Sequence, residues 1–566
     1  MCGITGIISY NSNVNQKELD SLTDALSHRG PDGRGTFIDN NVGLGHRRLS
    51  ILDLSNAGQC PMKYKTIDGR TYWITYNGEI YNFLELRAEL KQHGYHFNTE
   101  TDTEVVLAGY AHWGKDCLLH FNGMWAFAIW DSYNHELFLA RDRFGIKPLY
   151  YAFIKDRCIF ASEYKVYLTL DYFPFTMNSK IIPDLIKQCY RYEGQSNETI
   201  VNNVFRLPSG YSMSISQAGK VQLNKWWETM NHIPDIPTSY EDQIDQFRHL
   251  FFDSVRIRMR SDTPVGSSLS GGIDSSAVAS SMAYIQKDQK EALERCHKNW
   301  QHTFIASFPG SKVDETMYAD EVVQQIGARP HYWKYNENEV LSNICNSVWS
   351  TEDICLSLAV HIWLNYREMR RANIYVTLDG HGGDELLGGY PWHLNVPVNQ
   401  VNQQLHSDFH FAILPTILRI YDRCSMAHGI EVRMPFMDWR LVTYSFGLPP
   451  ETKLGGGFTK RIVRDAMKGV MPDSIIKRQS KIGYGLPMIE MFNGPMKDLL
   501  VKVMNHQIWL ESPFWNGTQV RDFVLQKTLN KQWTYDEYGF IQQIWLLMNL
   551  VIWKLVFIEN DITSIV

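Results

Sequence analysis

The chain has 566 residues, 44% of them hydrophobic and 20% charged, the balance of a folded protein rather than a disordered one. Lys and Arg number 55 against 61 Asp and Glu, a net charge of −6, so the composition is a poor match for neutralising nucleic-acid phosphates. At roughly 150 residues per domain, the length predicts three or four structural units. In chain order, the opening Met1-Cys2-Gly3-Ile4-Thr5-Gly6 lacks the basic and apolar regions of a secretory signal. Residues 4–8 and 71–76 are β-branched or aromatic runs between turn residues and predict strands, while 84–93 and 103–113 carry helical spacing. Residues 124–130 and 137–140 predict a strand pair across the polar turn 131–135, and 211–215 alternate apolar and polar residues as a further strand. Residues 231–238 hold Pro234 and Pro237 without periodicity and read as a linker. Beyond it long helices and a few short buried strands predict an α/β unit with helices on both sheet faces. The apolar stretch 544–558, broken by Asn549 and Lys554, falls short of the roughly 20 residues that span a bilayer, so it predicts a buried terminal helix and no membrane contact. The nine cysteines include no CxxC pair, which fits a reducing, cytoplasmic setting. His406 and His410, four residues apart without an HExxH glutamate, read as exposed histidines.

Several short blocks carry chemistry. Cys2 follows the initiator Met; with Met1 removed, its thiol would sit beside a free α-amino group whose pKa of about 7.7–8.0 suits a general base. Arg48, in Gly45-His46-Arg47-Arg48-Leu49, offers a planar fork for a carboxylate. Asn77 and Gly78, in Asn77-Gly78-Glu79-Ile80-Tyr81-Asn82, follow a strand and supply a side-chain amide and a backbone N–H that suit an oxyanion hole. Asp102 lies at a helix start, where a helix cap is the plain alternative.

Further along, Leu269-Ser270-Gly271-Gly272-Ile273-Asp274-Ser275-Ser276 precedes a helical run, and glycines there let backbone N–H groups close on a phosphate. The chain has no GxxxxGK[ST] sequence, which excludes a Walker loop. A buried-strand pattern then ends in Asp379-Gly380-His381-Gly382-Gly383-Asp384-Glu385, a place where α/β sheets present carboxylates to metal–phosphate groups.

Together the N-terminal blocks resemble the glutaminase domain of the class II amidotransferases, and the SGGxDS and acidic loops resemble the pyrophosphate-loop enzymes that cleave ATP between the α and β phosphates. The match runs over almost the whole chain, which therefore looks like a glutamine-hydrolysing asparagine synthetase. The resemblance implies an α+β N-terminal-nucleophile domain, an αββα sandwich over residues 1–220, a linker at 221–239, and an α/β pyrophosphate-loop synthetase domain at 240–566. It makes Cys2 the nucleophile, with Asn77 and Gly78 stabilising the oxyanion. Arg48, Asn77, Glu79 and Asp102 would bind glutamine. ATP would lie against Leu269, Ser270, Gly271, Gly272, Asp274, Ser275, Ser276, Ala306, Asp379 and Gly380. Asp274 and Asp384 would hold Mg²⁺, and Lys460 would stabilise charge as an acyl-adenylate forms. Implied partners are glutamine, ATP, a carboxylate acceptor and a second copy of the chain.

Two departures bear on the acceptor. Many family members carry an acidic residue where His381 stands, and their polar Thr-Ile-Arg stretch is here Ile354-Cys355-Leu356-Ser357-Leu358. Aspartate is the expected acceptor; a uronic acid of a surface polysaccharide or a natural-product acid is the alternative. The blocks Asp422-Arg423 and Glu431-Val432-Arg433 also match the family, without a role that the sequence assigns.

Overall fold

The computed structural model describes residues 1–288 and 293–563. Two antiparallel six-stranded sheets build the N-terminal part. The first runs Phe205–Arg206, Tyr150–Ile154, Arg157–Ala161, Gly3–Ser9, Val42–Arg48, Gly33–Asp39; the second runs Val221–Lys225, Tyr211–Ser216, Glu136–Arg141, Gly123–Asp131, Thr71–Ile80, Met62–Lys65. The strand Gly123–Asp131 shows why its sequence has no polar face. Ala126, Ala128 and Trp130 point into the core between the sheets, and Trp125, Phe127 and Ile129 point to the opposite side, under the helices Phe83–Gln92 and Asp102–Trp113. Gln16–Asp24 packs on the first sheet, which completes a helix–sheet–sheet–helix sandwich. The predicted hairpin pairs in register, Ala128 opposite Leu139. Val221–Lys225, expected in the linker, is instead the edge strand paired with Tyr211–Ser216, and only beyond it does the chain leave the sheet.

The helix Tyr240–Arg258 opens the second part, capped by Ser239, whose side chain accepts from the N–H of Asp242. A parallel five-stranded sheet follows, ordered Arg329–Lys334, His302–Ser307, Val265–Ser268, Val376–Leu378, Glu431–Arg433. The chain winds outward from Val265–Ser268 in one direction and then returns to its other side with Val376–Leu378. That reversal opens a crevice at the C-terminal ends of these two neighbouring strands, the place where such sheets bind ligands. The helical segment Tyr535–Glu559 is long and apolar enough by composition to cross a membrane, but Ile544, Trp545, Leu546, Met548 and Leu550 through Trp553 within it are buried in the protein.

The two parts share buried charge. Arg29 donates to Glu163 at 2.7 Å and to Asp422 at 2.9 Å, and Arg423 lies 3.5 Å from the same Glu163. Removing one member of such a buried network typically costs about 3–5 kcal/mol, because its partner is left charged and dry.

Candidate active sites

The first site lies where Gly3–Ser9, Val42–Arg48 and Thr71–Ile80 bring their residues together. A cavity of about 40 Å³ is lined by Met1, Cys2, His46, Arg48, Tyr76, Gly78, Glu79 and Asp102 among others. The backbone N–H of Cys2 donates to Asn77 Oδ1 at 3.1 Å, while Asn77 Nδ2 is buried without a partner, as a donor reserved for a substrate oxygen would be. Gly78 is required by packing, since a Cβ there would stand 2.4 Å from the carbonyl oxygen of Met124. Arg48 is held by the carbonyls of Leu52, Asp53 and Ser55, which fix its plane toward the cavity. Thr101, not Asp102, caps the helix Asp102–Trp113. Asp102 instead accepts from Tyr76 Oη at 2.8 Å and from the N–H of Ile80 at 2.9 Å. Glu79 Oε1 is buried and unpartnered. Burial pushes the Cys2 thiol up; the N-terminal ammonium, the Leu49 backbone and Arg48 oppose it. Met1 is itself buried, its ammonium 2.9 Å from Glu431 Oε2.

The second site fills the crevice of the parallel sheet, a cavity of about 400 Å³. Val265–Ser268 delivers the loop 269–272, whose Gly271 turns at φ +77° against Tyr318, and the helix Ile273–Asp288 starts immediately after. Lys460 bridges Asp274 and Asp384, lying 2.5 Å from Asp384 Oδ1. This lysine holds a left-handed backbone, φ +52°, an uncommon conformation for a residue with a side chain and one that its two carboxylates help retain. Close approach is built into the glycines around it: a Cβ on Gly383 would lie 2.6 Å from Asp274 Oδ1. Burial pushes the Lys460 ammonium down, but Asp274 and Asp384 more than offset it and leave it above its ordinary value. Asp274 Oδ1 is buried and unpartnered, and the pair supplies hard oxygens of the kind magnesium takes alongside phosphates. Asp379 has a different position in the site. Its carboxylate accepts from Ser268 N, Ser268 Oγ, Thr377 Oγ1 and Tyr366 Oη, and so ties the two strands at the crevice together.

Of the predicted nucleotide residues, Leu269, Ser270, Gly272, Asp274, Ser275, Asp379 and Gly380 line the cavity, as do Asp384 and Lys460. Gly271, Ser276 and Ala306 do not: Gly271 forms the turn behind the wall, Ser276 is fully buried under it, and Phe304 presents the face expected of Ala306. His406 and His410 are partly buried rather than exposed, with ring centroids 4.7 Å apart. Sequence reading missed Lys481, which pairs with Asp384, and Arg478, which pairs with Glu315. It missed Tyr190 too, which reaches this cavity from the helix Cys189–Gln195 of the N-terminal part. A basic, glycine-containing stretch, Arg478-Gln479-Ser480-Lys481-Ile482-Gly483, was the only signal for the two cations.

Residues 1–227 match the glutamine amidotransferase domain family, and residues 246–400 and 396–554 match the asparagine synthase family. Asparagine synthetase [glutamine-hydrolyzing] 1 of Bacillus subtilis is 28% identical over 99% of this chain and 97% of its own. A relative in Methanocaldococcus jannaschii is 36% identical over 70% of this chain and 76% of its own. A Gibberella zeae protein named amidase chry2 is 27% identical over 91% of this chain and 81% of its own. The chain belongs to the asparagine synthase family, as a glutamine amidotransferase domain joined to an ATP-using synthetase domain.

Proposed function

We propose that the chain transfers the amide nitrogen of glutamine to a carboxylate activated by ATP, with aspartate as acceptor and asparagine, AMP and pyrophosphate as products. The observation that carries this is the pairing of the two sites: a Cys2 beside an unpartnered Asn77 amide in one domain, and an Asp274–Lys460–Asp384 cluster on a glycine loop in the other.

In the first site, removal of Met1 makes the Cys2 nitrogen an amine, and that amine takes the thiol proton as the sulfur attacks the glutamine amide. Asn77 Nδ2 and the Gly78 N–H meet the developing oxyanion, and Arg48, Glu79 and Asp102 hold the amino-acid end. Collapse expels ammonia and leaves a thioester on Cys2, which water hydrolyses to glutamate. In the second site, the loop 269–272 and the N-terminus of Ile273–Asp288 receive the phosphates of ATP. The acceptor carboxylate attacks the α phosphorus, pyrophosphate leaves, and Lys460 neutralises charge on the way to the acyl-adenylate. Mg²⁺ held by Asp274 and Asp384 would add Lewis-acid stabilisation of that leaving group. Ammonia from the first site then attacks the acyl carbon and releases AMP.

A second reading, amidation of a uronic or natural-product acid, has one observation in its favour. The cavity's cations already have protein partners: Lys460 and Lys481 with carboxylates, Arg478 with Glu315, Arg464 with the carbonyls of Thr459, Ile476 and Arg478. The wall beyond them is Tyr190, Ser357, Ile417, Ile420 and Tyr421, with the His381 ring tilted against Tyr421 at a centroid distance of 3.8 Å. Burial pushes the His381 imidazole below its ordinary value, so it stays neutral and adds no charge for an α-carboxylate. Acceptor-dependent exchange of radiolabelled pyrophosphate into ATP separates the two. Exchange with aspartate supports the first reading, exchange only with another acid the second, and none with any acid rejects both.

A further inference from the structure

The family blocks without a role, Asp422-Arg423 and Glu431-Val432-Arg433, belong to the synthetase domain, yet they end at the glutaminase site. The edge strand Glu431–Arg433 runs beside Val376–Leu378, and its side chains leave the sheet toward the N-terminal domain. Glu431 Oε2 receives the ammonium of Met1, and Glu431 Oε1 accepts from Arg433 Nε at 2.6 Å. Arg433 Nη1 donates to the carbonyls of Arg258 and Arg260, which lock the guanidinium plane. Arg433 Nη2 is left over: it is buried, makes no hydrogen bond, and lies 3.5 Å from Glu79 Oε2. The other oxygen of that carboxylate, Glu79 Oε1, is buried without a hydrogen-bond partner. From the neighbouring helix 414–426, Asp422 holds Arg29, whose Nε donates to the carbonyl of Cys2 at 3.1 Å.

We infer that Arg433 of the synthetase domain is a positioning residue of the glutaminase reaction, orienting the Glu79 carboxyl so that it can receive the α-ammonium of glutamine. This rests on the reading of Glu79 as a glutamine ligand. Arg433 is the guanidinium that faces this carboxyl. Burial and the nearby Asp102 push the Glu79 carboxyl well above the usual range, and Arg433 is the strongest charge acting against them. A neutral Glu79 would offer the ammonium of the substrate a far weaker partner. Because Arg433 is fixed to the sheet that binds ATP, the competence of the glutamine site depends on how the two domains are docked.

The test is steady-state kinetics of the full chain carrying Arg433→Gln or Arg433→Lys, with glutamine hydrolysis and ammonia-dependent amidation measured side by side. Loss of one charge-assisted contact predicts that Arg433→Gln raises KM for glutamine by about 10–100-fold, with kcat at saturation changed far less. Ammonia-dependent amidation stays near wild type. Arg433→Lys, which keeps the charge, restores KM to within about threefold of wild type. An unchanged KM in Arg433→Gln overturns the inference. So does a parallel loss of both activities in either variant, which marks Arg433 as a prop for the fold, and if Arg433→Gln does not fold, the KM of Arg433→Lys decides alone. A wild-type protein without glutamine hydrolysis would instead defeat the underlying reading of Glu79.

Discussion

The two sites solve opposite electrostatic problems. In the glutaminase site the domain's own buried charges are Glu79, Asp102 and Arg48, and the synthetase domain adds Glu431 and Arg433 from outside. Its cavity is small, with Met1 among the lining residues. The synthetase site is ten times larger and rich in cations, with Lys460, Lys481, Arg464 and Arg478 on its wall. Its acids and bases neutralise one another until a polyphosphate arrives. The contrast follows from the ligands. A zwitterionic amino acid needs one fixed charge of each sign at a tight spacing, whereas a triphosphate needs positive charge spread along a trough. A site built from paired charges can exchange partners without leaving a charge bare; a site built from unpartnered ones must be held by its surroundings.

The largest effect expected from breaking one side alone is Cys2→Ala. Glutamine hydrolysis should fall to background, since the other thiol lining the cavity, Cys60, has no α-amine beside it and burial pushes it well above its ordinary value, while ammonia-dependent amidation persists. Equal loss of both activities in a folded protein would contradict the separation of the sites. The wild-type preparation should show an intact mass lacking Met1, because a retained Met1 keeps the Cys2 nitrogen an amide.

The converse cut removes one acid from the synthetase cluster. Asp274→Asn and Asp384→Asn keep size and lose charge, and pyrophosphate release should drop by about 10²-fold or more if metal and lysine together contribute several kcal/mol. Glutamine hydrolysis should continue in both, provided acceptor and ATP are left out of that assay. Near-normal pyrophosphate release in either variant would remove that aspartate from the site.

How much of this was legible in the sequence follows the same division. Cys2, Arg48, Asn77, Glu79 and Asp102 stand in short blocks at strand ends and a helix start, where local pattern and function coincide. The glycine loop and Asp384 were legible for the same reason, because both follow short apolar strands in a parallel sheet. Arg433 and Asp422 were visible only as blocks, since their partners Glu79 and Arg29 lie hundreds of residues away and no periodicity encodes that pairing. Lys481 sits in an irregular stretch, and Tyr190 crosses from one domain to the other. Val221–Lys225 reads as linker because it abuts the aperiodic stretch that holds Pro234 and Pro237; in the fold it is an edge strand paired on one side, which leaves its residues mostly exposed.

The smallest predicted effect compares two lysines seven residues apart. Lys460 is buried between two carboxylates and keeps its charge easily. Lys453 is buried as completely, but its Nζ has only Asn402 Oδ1 at 2.7 Å and the face of Phe446 nearby, and burial pushes its pKa down to about 7. The unfolded chain holds that proton up to about pH 10.5, so between about pH 7 and 10.5 the unfolded state binds more protons and this residue's contribution to stability rises with pH. Below pH 7 both states are protonated, and the full cost of a buried, poorly paired ammonium is felt. Lys453→Met fills the same space without that cost, less the lost Asn402 contact. It should therefore raise the melting temperature by about 1–2 degrees at pH 6, consistent with a gain of about 1–2 kcal/mol in a chain of this length. The gain should shrink steadily as the comparison is repeated at pH 8 and pH 9.5, because the wild-type lysine then sheds its proton on folding. A difference in melting temperature that stays constant across that range would show that the ammonium of Lys453 is solvated or paired in the folded protein, and that the contrast with Lys460 is one of packing alone.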